Sequence, residues 1–315
     1  MKKIIILLST VILFMLISSC EENFSPKSDF NEKIILYSII NADSTRQTAL
    51  LERSYNVPGF DPYVNTIDPF ISDAEIRLRQ GDNVIFMKDT IIDRTDTSRY
   101  NNPLSYFYTD NFNISGNDPL EIIATLADGR QLYAITNLPL PVLFDTSNDN
   151  ILPPDSGDTF RFSWQSQEDN IWFLPKFEFF YRKDGVRYSK EVPIGFIEDD
   201  QQVEPIYPDI SQSSALRFEI EMLDSAFLQI SRGDPDKSSY EILGSVFTVL
   251  IFDQNLSDYI SSTNGFLDDF TVILDENDFT NIQGGFGIFG SYIIQKTGAL
   301  FTEDYIKSFG YTPGL

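Results

Sequence analysis

Ile17-Ser18-Ser19-Cys20 is the stretch whose residue types and spacing imply a specific reaction. Small residues stand just before a cysteine, at the end of an apolar run over 4–17 broken only by Ser9 and Thr10, and behind the charged pair Lys2 and Lys3. That order of charge, apolar core and small-residue site is an export leader. Cleavage before Cys20 frees its amino group for acylation beside the side-chain thiol. Fourteen helical residues at about 1.5 Å each cover about 21 Å, less than the roughly 30 Å hydrocarbon layer, so a cleaved leader is favoured over a permanent membrane helix. Cys20 is the single cysteine of the chain. It has no partner for an internal disulfide, and lipidation accounts for it. Each buried methylene contributes about 0.8 kcal/mol, so one acyl chain holds weakly and two or three hold stably.

Histidine is absent from all 315 residues. This excludes Ser-His-Asp and Cys-His catalysis, histidine acid-base work and the usual zinc or iron sites. Carboxylate chemistry, Ser-Lys chemistry and binding without catalysis remain. The carboxylate candidates are weak. Glu198, Asp199 and Asp200 form a charge run that reads as a solvated loop, although a glycosidase carboxylate in it stays open. Asp234, Asp236 and Ser238 begin like a calcium loop, but Ser239 and Ser245 replace its required glycine and glutamate. Asp145, Asp149, Asp155 and Asp158 fit no calcium template and read as turn residues.

Gly285, Gly287 and Gly290 spell the G-x-G-x-x-G of dinucleotide sites. That motif belongs at the start of a helix in an early βαβ unit. Here it lies near the C-terminus among β-prone residues, so the glycines are expected to allow close backbone approach, with Phe286, Ile288 and Phe289 in the core. Trp164 and Trp172 offer ring faces that could stack on sugars, but beside so many phenylalanines they are expected to be core. No catalytic residue, cofactor or metal is assigned.

Lys and Arg number 23 against 47 acidic residues, a net charge of −24. Loss of Lys2 and Lys3 with the leader makes the mature chain two units more negative. Such a balance repels nucleic-acid phosphates and anionic headgroups, and no basic patch with interleaved aromatics offsets it. A 42% hydrophobic content with 27 phenylalanines marks a folded body.

The elements that must position these residues are mostly strands. Residues 34–40 form an apolar run with 45–55 as antiparallel partner, and Ala74, Ile76 and Leu78 alternate with charges before a Gly81-Asp82 turn. Leu120, Ile122, Ala124 and Leu126 alternate up to Asp128-Gly129, and 131–136 returns. The expected fold is mostly β: an N-terminal transthyretin- or immunoglobulin-like antiparallel sandwich, then a second mainly antiparallel β domain with one or two short helices. The expected division is a leader over 1–19, a flexible tether over 20–32 from lipidated Cys20, a sandwich over 33–144, a linker over 145–158 and a second domain over 159–315. In that second domain, Phe160, Phe162 and Trp164, then Phe177, Phe179 and Tyr181, then Leu216, Phe218, Ile220 and Met222, alternate as half-buried strands. Residues 246–252 read as a central strand, 255–262 as a short helix capped by Asn255, 292–294 as the last strand, and 298–315 as a loosely packed tail.

Glu21-Glu22-Asn23-Phe24 after the lipobox, the strand Ser72-Asp73-Ala74-Glu75-Ile76, the run over 120–126 leading to Asp128-Gly129-Arg130 and Leu138-Pro139, and the closing stretch over 280–290 together resemble a family of uncharacterised Gram-negative outer-membrane lipoproteins. Genes of that family often lie beside those of TonB-dependent receptors. The resemblance implies an accessory role at the envelope, with an outer-membrane receptor barrel as partner, and no catalytic residue. Acidic residues after the acylated cysteine also resemble lipoprotein surface-export signals, which would face the protein to the cell exterior; a spacer on the periplasmic face is the alternative. The expected protein is a membrane-tethered binding or accessory module and not an enzyme. A stand-alone glycan- or peptide-binding surface protein, and then a carboxylate glycosidase, are the alternatives.

Overall fold

The computed structural model describes residues 29–57, 64–65, 68–95, 97–98, 100, 102–145, 150–199, 202–264 and 279–314. The leader, Cys20, most of the tether, Asp149 and Asp200 lie outside the described residues. Strands make up 50% of the structure and helices 12%, so the chain is mostly β, with several antiparallel sheets and a few short helices.

The first half is a two-sheet sandwich. One layer runs β1 (Ile34–Asn41), β2 (Gln47–Arg53), β6 (Leu104–Thr109) and β5 (Lys88–Ile92) side by side. The facing layer runs β4 (Asn83–Phe86), β3 (Ala74–Gln80), β7 (Leu120–Leu126) and β8 (Gln131–Thr136). Period-two patterning decides which side faces inward. Leu36 and Ile40 from β1, Ile76 and Leu78 from β3, and Leu120, Ile122 and Ala124 from β7 are all fully buried in one core. Gly81, at φ +57°, closes the β3–β4 turn where the sequence places it.

The second half is layered in the same way around an aromatic core. β12 (Phe173–Lys183) lies between the edge strand β13 (Val186–Glu191) and β17 (Tyr240–Phe252), and β17 pairs in turn with β18 (Phe286–Phe301). Over this sheet sit β9 (Leu143–Phe144), β11 (Thr159–Gln165) and β16 (Ala215–Glu219), together with α1 (Ile220–Ile230) and α3 (Glu303–Ser308). Phe162 stacks on Phe247 at 4.2 Å between ring centroids, and Phe160 on Phe218 at 5.1 Å. Offset aromatic pairs of this kind contribute about 0.5–1.5 kcal/mol beyond their buried area. A separate ribbon, β14 (Gly195–Asp199) with β15 (Gln202–Ile206), completes the half.

β18 joins the two halves. Its first part, Phe286 to Tyr292, runs parallel to β1, and Tyr292 to Ala299 pairs antiparallel with β17. Strands on both sides of the 145–158 division therefore share one sheet. The described part of that segment is itself held in place: β10 (Ile151–Leu152) pairs with Leu300 and Phe301, and Leu152 is buried.

Several expectations are corrected. Three short α-helices occur among the described residues, in a chain that is mostly β. The alternation of Leu216 and Phe218 does not extend to Ile220 and Met222, because the chain turns helical at Ile220. Leu223, Ala226 and Phe227 then form the buried i, i+3, i+4 stripe of α1. The stretch 292–294 is not the last strand but the middle of β18, sixteen residues long, and a short strand follows it near the C-terminus. The C-terminal stretch is not a loose tail. Thr302 caps α3 through its hydroxyl, β19 (Thr312–Pro313) pairs with β17, and the buried Tyr311 donates to the Phe227 carbonyl at 2.6 Å. Asn255 does not cap α2 (Gln254–Asn264). Asp253 does, its Oδ1 accepting from the Leu256 amide at 2.7 Å.

Candidate functional site

The residues singled out by sequence are not brought together. The glycine motif opens β18 instead of a helix. A Cβ on Gly287, at φ +110°, would lie 2.1 Å from the Leu36 carbonyl oxygen, and one on Gly290 would lie 2.9 Å from the Leu256 Cβ. These glycines let β18 press against β1 on one side and α2 on the other, as close backbone approach requires. Ile288 and Phe289 are buried as expected, but Phe286 is 42% exposed. It stands at the open end of the strand with the Lys33 ammonium 5.9 Å from its ring centroid.

Asp234 and Asp236 lie in a turn leading into a short 3-10 segment, Lys237–Ser239, which contains Ser238. Asp234 Oδ1 accepts the Asp236 amide, and its Oδ2 accepts from Lys183 at 3.1 Å and from the Tyr240 hydroxyl at 3.0 Å. The Asp236 amide first, then Lys183 and Tyr240, hold the Asp234 carboxyl below its ordinary range. Its oxygens are thus engaged within the protein. Glu198 and Asp199 end β14 at the tip of the β14–β15 ribbon. Trp164 is 4% exposed and its indole N–H has no acceptor among the described residues. Trp172 is partly buried against the α2 side of the sheet, with its indole N–H on Ser261 at 2.7 Å. The two indoles form no common exposed face.

Two arrangements that the sequence does not announce are present. The first is a buried polar knot where β8, β18 and α2 meet. Asp253, 2% exposed, accepts through Oδ2 from Thr136 Oγ1 and from Ser291 Oγ at 3.0 Å, while Asn255 Nδ2 donates to Thr136 Oγ1 at 2.9 Å. Burial raises the Asp253 carboxyl to about 6 against these bonds, which favour the ionised form. The knot is sealed from solvent, so its work is to fix α2 and the first sandwich onto β18. An aspartate directly ahead of a helix is the signal that would have found it.

The second is a cleft of about 790 Å³ between β10 and the β11–β16 pair. This volume lies within the range of small-molecule sites, about 300–1,000 Å³. Ile151, Pro153 and Pro154 form one wall, and Arg161 and Arg217 belong to the other. The two arginines are direct cross-strand partners in the antiparallel β11–β16 register. Side chains so placed have Cβ atoms about 5 Å apart, and like charges there are destabilising. At a separation of about 6 Å in water the repulsion is about 0.7 kcal/mol. Arg217 Nη2 donates to Thr159 Oγ1 at 3.1 Å, and neither guanidinium pairs with a carboxylate among the described residues. The alternation of β11 and β16 predicts that both arginines face outward; their juxtaposition depends on a pairing between strands far apart in sequence.

No protein-family model matches the chain, and no curated protein matches it.

Proposed function

We propose that the protein is a lipid-anchored binding module of the outer membrane, facing the cell exterior, with its ligand site in the cleft between β10 and β11–β16. The observation that carries the binding reading is that cleft: a volume suited to a small ligand, with Ile151, Pro153 and Pro154 as apolar surface and the polar groups of Asn150, Asp155, Arg161 and Arg217 around it. The anchor is supported by the lipobox ending at Cys20. The chain from Cys20 to Ile34, where β1 begins, spans at most about 50 Å when fully extended, which would keep the folded body close to the membrane. The resemblance to receptor-associated lipoproteins supports an outer-membrane barrel as partner.

A stand-alone glycan platform on Trp164 and Trp172 is not favoured, because Trp164 is buried in the aromatic core. The anchor is tested by metabolic labelling with a fatty-acid analogue and detergent phase partition. The native chain should carry label and enter the detergent phase, and Cys20→Ala should lose both properties. An unlabelled native chain, or label retained in Cys20→Ala, would remove the anchor from the account.

A further inference from the structure

The wall of the cleft sets two arginines, without an ion pair among the described residues, opposite one another. Arg46, Arg79, Arg94, Arg130 and Arg182 each reach a carboxylate at 3.2 Å or less, as expected in a chain with 47 acidic residues. Among the described residues Arg161 and Arg217 do not, as Arg77, Arg187 and Arg232 do not, but Arg161 and Arg217 are the pair that lines a cleft, and each carries five donors suited to a planar or tetrahedral oxyanion. The hydroxyl of Thr159 steadies one of the two guanidiniums and leaves its remaining donors available. Two like charges held side by side over a cleft become favourable once an anion lies between them. Among the described residues the cleft lining contains one carboxylate, Asp155, and the facing wall offers the apolar side chains of Ile151, Pro153 and Pro154 beside Asn150 and Asp155.

We propose that this cleft takes a ligand through an oxyanion group, carboxylate or phosphate, held between Arg161 and Arg217. The ligand's carbon skeleton rests on Ile151, Pro153 and Pro154, and any hydroxyl or ammonium it carries points toward Asp155. The proposal rests on the cleft being the ligand site and adds the chemical class of the ligand.

The test is calorimetric titration of the full mature chain, in detergent, with citrate, inorganic pyrophosphate and the neutral probe sucrose. Arg161→Gln and Arg217→Gln alter exposed side chains, and an unchanged urea midpoint verifies that they fold. At least one anion should bind the native chain, and each variant should weaken it at least tenfold. Preference for citrate identifies carboxylate as the source chemistry, and preference for pyrophosphate identifies phosphate. Anion affinities that stay within twofold in both variants would overturn the proposal. Sucrose binding that is lost in Ile151→Arg, with no heat from either anion, would remove the oxyanion chemistry and leave the cleft as a site; no heat from any of the three would remove both.

Discussion

Replacing Asp253 by asparagine tests whether the buried knot is held together at an electrostatic cost. The Asp253 carboxyl ordinarily titrates near 3.8 and is raised by burial to about 6 in the folded chain. A raised carboxylate binds more protons in the folded state, so its contribution to stability falls as pH rises between these two values and the full penalty is present above the folded pKa. A shift of about two units corresponds to roughly 3 kcal/mol at pH 7. Working the same linkage at pH 5 leaves roughly 1.6 kcal/mol, so acidification from pH 7 to 5 restores about 1.3 kcal/mol at this position alone. Asparagine keeps the helix cap, since its Oδ1 can still accept the Leu256 amide, and its amide can donate to the Thr136 and Ser291 hydroxyls, which then act as acceptors. It has no proton to titrate. Urea unfolding of both chains at pH 5 and 7 isolates this term, because the general relief of −24 net charge on acidification is common to the two proteins. The stability of Asp253→Asn relative to the native chain should fall by about 1.3 kcal/mol on going from pH 7 to pH 5. An equal difference at both pH values would show that Asp253 titrates normally and that desolvation does not dominate the knot.

Other perturbations follow from the packing. Gly287→Ala places a methyl against the Leu36 carbonyl oxygen at a positive φ, where the obstacle is backbone and cannot swing aside; a loss of roughly 2–4 kcal/mol in urea unfolding is expected. Phe179→Ala empties a fully buried position that touches Phe227 at 4.5 Å between ring centroids, and should cost about 3–5 kcal/mol in the same assay.

Much of the fold is legible in the residues. β3, β7, β11 and β12 alternate cleanly, and turn pairs such as Asp128-Gly129 and Asp184-Gly185 stand where the hairpins close. Local pattern fails where the structure depends on distant partners. Nothing in 34–41 states that its neighbour on one side is β18, because strand pairing is chosen by global packing and not by propensity. The switch from β16 to α1 is hidden because Ile220 and Met222 continue an alternation while Leu223, Ala226 and Phe227 already obey the helical period. The C-terminal elements are short, and their anchors Phe301, Tyr305, Ile306, Phe309 and Tyr311 gain meaning only against Phe227. The same limit hides the cleft. Arg161 and Arg217 are each visible as outward residues of a strand, but their opposition arises from the register of β11 on β16.

The central claim is an envelope module that binds while tethered through Cys20. It is tested most directly on intact cells by mild crosslinking, detergent extraction and mass spectrometry of whatever travels with the protein, alongside external protease. The account predicts co-isolation with an outer-membrane barrel and cleavage of the chain by external protease. Recovery alone and protected from protease would contradict the surface-facing accessory role and place the protein on the periplasmic face.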